Sequence, residues 1–435
     1  MKKVLIITRD FPPYSGRGNV MRILKFAKYL PEFGLQPFII AEKKNDVEDT
    51  SLLKQLSSIV KTKYVFTETP QMKKSHYKEL IKNKKYSALK RINFFLYRSI
   101  GYNLYSFYQY HLMAPDLAYF WAKKALSTAQ DWHEEEQFDL YLTSGPPFST
   151  FKIGIELKKI LNIPWVVDFR DAWVGNPIFK QFKLFLINWQ NNSLEKKVMK
   201  KANLIIFTTK PMQDEYSKKY IDQKDKMVII TNGYDHEDYK EIMIADKEKD
   251  KLHFVYSGTI SNKQVPTSFL SGLLRAMEIQ SEIKNHIKVS FIGKFNYKDK
   301  NNLDQLTSIV NVEGILLHKK AIEHMSRADV FLLLINPTGG STMMTGKIFE
   351  YLAFKKPIFA VSIPCAATDL IKQNNSGYIA DWHNEDEIAN QIIRIYEDWK
   401  VNKLDRIMND EILVKFERKN LTESLSGHLN QILNV

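Results

Sequence analysis

Lys347 and Glu350 stand three residues apart at the start of a helical stretch, directly behind Pro337-Thr338-Gly339-Gly340-Ser341-Thr342-Met343-Met344-Thr345-Gly346. A loop of such small residues leaves backbone N–H groups free ahead of a helix, as a diphosphate or a hexose would require, although an ordinary long loop reads the same way. The Glu350 carboxylate can accept two hydrogen bonds from the vicinal hydroxyls of a ribose; its plain alternative is a surface helix glutamate. Lys347 places a cation at the head of the same stretch. A second pair, Arg170-Asp171, follows the apolar run Trp165 to Asp168. Arginine can grip a phosphate with two prongs and Asp171 can orient a hydroxyl, while a salt bridge between two loop residues explains them as well. Gly16 and Gly18 precede the first helical stretch, where an anion can approach the backbone. Met21 replaces the third glycine of a dinucleotide fingerprint, so a flexible turn accounts for the pair equally.

These residues need a scaffold that brings loop ends together. Short β-branched runs recur at Val4 to Thr8, Phe38 to Ala41, Leu140 to Thr143, Trp165 to Asp168, Leu204 to Thr208 and Val228 to Thr231. Between the first two, Val20, Ile23, Leu24, Ala27 and Leu30 repeat at helical spacing, with Lys25 and Lys28 on the other face. A second series follows at Phe254 to Ser257, Val289 to Ile292, Val330 to Ile335, Ile358 to Val361 and Tyr378 to Ala380. Alternating strands and helices of this kind predict parallel sheets covered on both faces, in two α/β domains with a seam around Tyr239 to Lys251. Their ligand crevices would lie at the carboxyl ends of the strands, facing each other across a cleft.

The length of 435 residues agrees with two or three domains and excludes a single small binding module. Cys365 is the only cysteine, so no intramolecular disulfide forms and cytosol is the default compartment. Val4 to Ile7 is too short for a signal peptide, and no run approaches the ~18 apolar residues of a spanning helix. His318 and His324 are isolated in sequence, and Asp235-His236-Glu237-Asp238 reads as an acidic turn; no metal site is expected. No Gly-x-Ser-x-Gly or Walker A sequence occurs.

Several longer stretches carry a family resemblance. They are Phe11-Pro12-Pro13 with its glycine pair, Ser144-Gly145-Pro146-Pro147-Phe148-Ser149, Ile163 to Trp173, Ala202 to Thr208, Thr231-Asn232-Gly233-Tyr234-Asp235, and Gly346 to Pro357. In order and approximate spacing, over most of the chain, the sequence resembles family-4 retaining glycosyltransferases of bacterial surface-polysaccharide pathways. The resemblance implies the glycosyltransferase-B fold, α/β with two Rossmann-like doubly wound domains. An acceptor-side domain would span 1–239 and a nucleotide-sugar domain 240–419, with a helix over about 420–435 packing back on the first.

The resemblance also implies roles. Glu350 would hold the donor ribose, and a basic pair, Lys347 with Lys263, would face the diphosphate. Gly16, Gly18, Gly340, Ser341, Thr342 and Gly346 would border the donor, and Arg170 and Asp171 would join Lys347 at the reacting centre. Two positions depart from the family pattern: Thr259 stands where arginine is frequent, and Thr342 where the first of two acids eight residues apart is usual. The implied reaction moves a hexose-type sugar from a nucleoside diphosphate to a glycan or lipid-linked glycan, with no cofactor and no metal. A sugar-nucleotide epimerase or hydrolase of the same fold is the enzymatic alternative.

The charge of +14 is unevenly placed. Between Gln71 and Ile100 lie Lys73, Lys74, Lys78, Lys82, Lys84, Lys85, Lys90, Arg91 and Arg98, against one acid, Glu79. Aromatic and aliphatic residues follow through Tyr110, the composition of an interfacial segment on anionic lipid. A solvated basic helix followed by a core helix has the same composition. The expectation is a cytoplasmic protein, peripheral on the inner face of the membrane. A basic nucleic-acid-binding protein is the rival from another class, but these cations form no recognised reading motif.

Overall fold

The computed structural model describes residues 1–13, 18–44, 50–67, 78, 87–96, 99–100, 115–176, 185–240, 247–260, 266–297, 301–337, 340, 344–404 and 410–434. Two parallel sheets organise them. The first contains β1 (Lys2–Ile7), β2 (Leu35–Lys43), β3 (Lys61–Phe66), β4 (Leu140–Gly145), β5 (Trp165–Phe169), β6 (Leu204–Phe207) and β7 (Met227–Ile229), in the spatial order β3-β2-β1-β4-β5-β6-β7. The second contains β8 (Leu252–Ser257), β9 (Ile287–Ile292), β10 (Val310–Gly314), β11 (Val330–Ile335), β12 (Ile358–Ser362) and β13 (Gly377–Ala380), in the order β10-β9-β8-β11-β12-β13. The expected pair of doubly wound α/β units is what forms.

Burial on both faces explains the unbroken apolar runs. On β1, Leu5 and Ile7 join a core with Trp121, Ala125 and Phe151, while Val4 and Ile6 join another with Ile23, Leu24 and Ala27. In the second sheet Phe254 and Tyr256 pack with Phe269 and Leu273, whereas Val255 faces Ile348, Phe349 and Leu352. Two strands lack such a run in the sequence, β3 and β10. Both are sheet edges and bury little, with only Val65 and Val310 respectively buried.

Chain order reverses between β1 and β4 and again between β8 and β11. A ligand crevice opens at such points, because the flanking helices leave to opposite faces. Arg170 and Asp171 directly follow β5, and Lys347 and Glu350 open the helix Lys347–Ala353 that comes after β11 and its loop.

The chain crosses between the domains twice, and the crossings run side by side. Tyr234 N donates to the Phe416 carbonyl at 3.0 Å, and Arg418 N donates to the Tyr234 carbonyl at 2.7 Å. Gly233 permits this approach, since a Cβ there would stand 2.0 Å from the Phe416 carbonyl oxygen. The last helix, Arg418–Leu433, then lays Leu421, Leu425 and Leu429 into the core of the first domain.

Candidate active site

The first-domain wall begins at the end of β5. Asp168 is fully buried, accepts from the Ser144 hydroxyl at 2.7 Å, and pairs with Arg22 through Nη2 at 2.8 Å and Nε at 3.1 Å. Arg22 Nη1 also donates to the Thr231 carbonyl at 2.6 Å. Arg170 is buried directly behind: its N–H bonds the Gly145 carbonyl, its carbonyl accepts from the Thr208 hydroxyl, and its guanidinium donates to the Pro146 carbonyl. Burial lowers the Arg170 pKa against the opposing pull of Asp168, Asp10 and Asp171. Asp171 is exposed on this wall, yet the crowded surroundings push its carboxyl up while Arg170 draws it down.

The second-domain wall is built on the helix Lys347–Ala353. Ile348, Phe349, Tyr351 and Leu352 are buried, which leaves Lys347 and Glu350 half-buried on one face at i, i+3 spacing. Tyr351 fixes the helix to β8 by accepting from Ser257 N at 2.9 Å and stacks on Phe331 at 4.4 Å. Lys347 Nζ donates to the Tyr256 hydroxyl at 2.5 Å and lies 4.2 Å over that ring. Gly258, with φ of 141°, follows β8 at this point; a Cβ there would stand 2.2 Å from Lys347 Cε. At that φ a side chain is strained, and a Cβ would displace the end of Lys347.

Burial pulls the Lys347 ammonium down to about 8, only partly opposed by Glu350. The same crowding raises the Glu350 carboxyl against His318, Arg418 and Lys347, in that order of influence. Among the described residues no carboxylate pairs directly with Lys347, and no side chain donates a hydrogen bond to Glu350.

Between the walls runs a network that the sequence did not suggest. Lys25 Nζ lies 2.6 Å from both Asp235 and Asp238, and Lys28 lies 2.8 Å from Asp235. Asp238 reaches His318 of the second domain at 3.6 Å. Burial opposes charge on both partners, yet Asp238 raises the imidazole and His318 lowers the carboxyl. Arg418 is buried beside them with Nη1 lacking a partner among the described residues, and burial brings it down to about 9. These residues come from opposite ends and the middle of the chain, so no local pattern could reveal them.

Asp235, His236 and Glu417 form the one group of metal-type side chains found together among the described residues. The Asp235 carboxylate is already engaged by Lys25, Lys28 and the Tyr29 hydroxyl, which hold its pKa far below the usual range despite burial. That is the chemistry of a structural ion cluster rather than a set of open ligands.

Of the donor-side candidates, Gly346 immediately precedes the Lys347–Ala353 helix, Gly340 has φ of 73°, and Gly18 opens the Gly18–Tyr29 helix. Gly16, Lys263, Ser341 and Thr342 lie outside the described residues, as do Lys73, Lys74, Lys82, Lys84, Lys85 and Arg98 of the basic segment.

Residues 252–398 match the family model described as "Glycosyl transferases group 1". A comparison with curated protein sequences gave no match. Among solved structures, sucrose-phosphate synthase from Thermosynechococcus elongatus superposes with a TM-score of 0.69 at 13% identity, covering 100% of both chains. Anabaena HepE in complex with UDP and glucose gives 0.62 at 14% identity, covering 99% of this chain and 100% of that one. A point mutant of S. aureus TarM, in complex with fondaparinux, alpha-GlcNAc-glycerol and UDP, gives 0.57 at 12%, covering 100% of both. At these identities the structural likeness is one of fold. Residues 252–398 carry a group 1 glycosyltransferase domain, and the whole chain has the glycosyltransferase-B fold.

Proposed function

We propose that this glycosyltransferase is a retaining enzyme of the family-4 type, moving a hexose-type sugar from a nucleoside diphosphate to a glycan or lipid-linked glycan in bacterial surface-polysaccharide synthesis. The observation that carries the reading is the second-domain wall. A lysine packed on Gly258 and Tyr256, with a carboxylate one helical turn on, matches a diphosphate followed by a ribose. HepE and TarM were each solved with UDP, which favours a uridine donor here too.

In this reading Glu350 accepts the ribose hydroxyls and Lys347 meets the diphosphate. The bond from the anomeric carbon to the diphosphate oxygen breaks, the bond to the acceptor oxygen forms on the same face, and the acceptor proton passes to the departing phosphate. Arg170 and Asp171 border the acceptor side. Lysine and N–H dipoles neutralise the leaving group, so turnover persists in EDTA. Complete loss that magnesium or manganese restores would refute the metal-free mechanism.

A peripheral membrane position is part of the proposal. Its support is the helix Ala88–Leu96, where Lys90 and Arg91 are exposed beside Leu89, Ile92 and Phe95, which are 77%, 54% and 51% exposed. Among the described residues no helix is long and apolar enough to cross a membrane.

A thermal-shift panel of nucleoside diphosphates and their sugars tests the central reading. A ligand at a hundred times its Kd stabilises by about 2.7 kcal/mol. The expected result is stabilisation by one base, lost in Glu350→Ala; no response to any nucleotide would remove the donor site.

A further inference from the structure

Glu195 belongs to neither wall. It is fully buried in the helix Phe185–Lys201, and its carboxylate accepts four hydrogen bonds. Oε2 takes the Val174 N–H at 2.9 Å and the Tyr216 hydroxyl at 2.9 Å. Oε1 takes Lys219 Nζ at 2.5 Å and the Tyr220 hydroxyl at 2.6 Å. The Tyr216 hydroxyl in turn accepts the Trp173 N–H at 2.9 Å. One carboxylate therefore fixes two successive amides of the segment that follows Arg170 and Asp171, the first through Tyr216 and the second directly.

A buried carboxylate is costly unless paired and fully hydrogen-bonded, and this one meets both conditions. What it ties down is loop backbone that no helix or strand would otherwise hold. Burial and the neighbouring Glu195 both raise the Tyr216 and Tyr220 hydroxyls, which stay protonated donors across the neutral range. From the other side, the Trp173 ring lies flat on Phe148 at 4.9 Å with a 5° interplanar angle, and Phe148 ends the turn after β4. The Asp171 segment is thus clamped between β4, β5 and the Phe185–Lys201 helix.

We propose that Glu195 is a positioning residue for the acceptor: through Val174 and Tyr216 it sets the placement of Asp171 without touching either substrate. The inference rests on the reading of Arg170 and Asp171 as the acceptor wall. The donor residues Lys347 and Glu350 belong to the other domain and make no hydrogen bond with this clamp. Selectivity for the acceptor over the donor separates positioning from a general loss of structure, because unfolding would lower both.

The test uses the full-length chain with Glu195→Gln, which replaces one acceptor oxygen by an NH2 group facing a donor, and Tyr216→Phe, which removes the link to Trp173 and one of the four donors to Glu195 but keeps the direct bond to Val174. UDP serves as the donor-side probe and octyl glycosides as acceptor probes, with hydrogen exchange read at 171–174. The expected result is faster exchange at 171–174 in both variants, a tenfold to hundredfold loss of acceptor kcat/KM, and an unchanged Kd for UDP. Unchanged exchange in both variants, or UDP affinity falling in step with acceptor efficiency, overturns the proposal. Asp171→Asn is run in parallel. If it leaves acceptor kinetics intact, the acceptor-wall reading fails; if it impairs them while both Glu195→Gln and Tyr216→Phe do not, only the positioning role fails.

Discussion

The two walls of the cleft use their charges differently. On the first-domain side Arg22, Asp168 and Ser144 close on one another and on the Thr231 carbonyl, all out of water. On the second-domain side Lys347 and Glu350 are half-buried, perturbed in opposite directions, and only one turn apart. A closed set of buried charges specifies architecture, whereas a lysine and a carboxylate one turn apart, with no opposite charge paired directly to either among the described residues, fit the proposed donor.

The sharpest way to break the contrast is Arg22→Ala. It leaves Asp168 buried without its cation, so folding stability falls by about 3 to 5 kcal/mol in a denaturant titration. A loss below about 1 kcal/mol would mean that the first wall is not closed. Lys347→Ala does the opposite: turnover falls by roughly two to three orders of magnitude, as for loss of one group that stabilises the leaving charge, while stability hardly changes. Wild-type turnover in that variant would end the phosphate role.

The lysine also gives the contrast a pH signature. Its folded pKa of about 8 lies below the unfolded value, so the unfolded chain binds the extra proton between about 8 and 10.5. Stability from this group is therefore gained as pH rises through that window. Diphosphate affinity runs the other way, falling above about pH 8 as the ammonium deprotonates. Isothermal titration with UDP in wild type and Lys347→Arg checks it, since arginine keeps its charge and should remove the alkaline limb.

Glu350→Gln comes next. The amide keeps one acceptor oxygen and loses the charge, which weakens donor binding by about 2 to 3 kcal/mol with the fold intact. Unchanged affinity in a folded variant would take Glu350 out of the site.

What the sequence makes legible follows from the range of the interactions. Strands buried on both faces, such as β1 and β11, announce themselves as unbroken apolar runs. β3 and β10 stay hidden because an edge strand buries little and tolerates Lys61-Thr62-Lys63 or Asn311-Val312-Glu313. Lys347 and Glu350 can be found together because i, i+3 on a helix is local. Asp238 meeting His318, or Arg418 arriving beside Glu350, depends on how two domains and two crossings meet. His318 looks isolated only until that geometry exists.

The smallest expected effect tests whether the exposed helix Ala88–Leu96 also has a role of its own. Each lysine or arginine near an anionic membrane contributes about 1 kcal/mol, so replacing Lys90 and Arg91 with Gln should weaken vesicle binding by about 2 kcal/mol. Leu89 and Phe95 add apolar contact from the same helix, so Leu89→Ser with Phe95→Ser should lower binding even at salt concentrations that mask the charges. Neither pair touches the second-domain wall, and UDP affinity should stay at the wild-type value. Co-sedimentation with vesicles of phosphatidylglycerol and phosphatidylcholine reads the outcome. Equal binding of wild type and both double variants at low salt would show that Ala88–Leu96 is a solvated helix, leaving attachment to the acceptor alone.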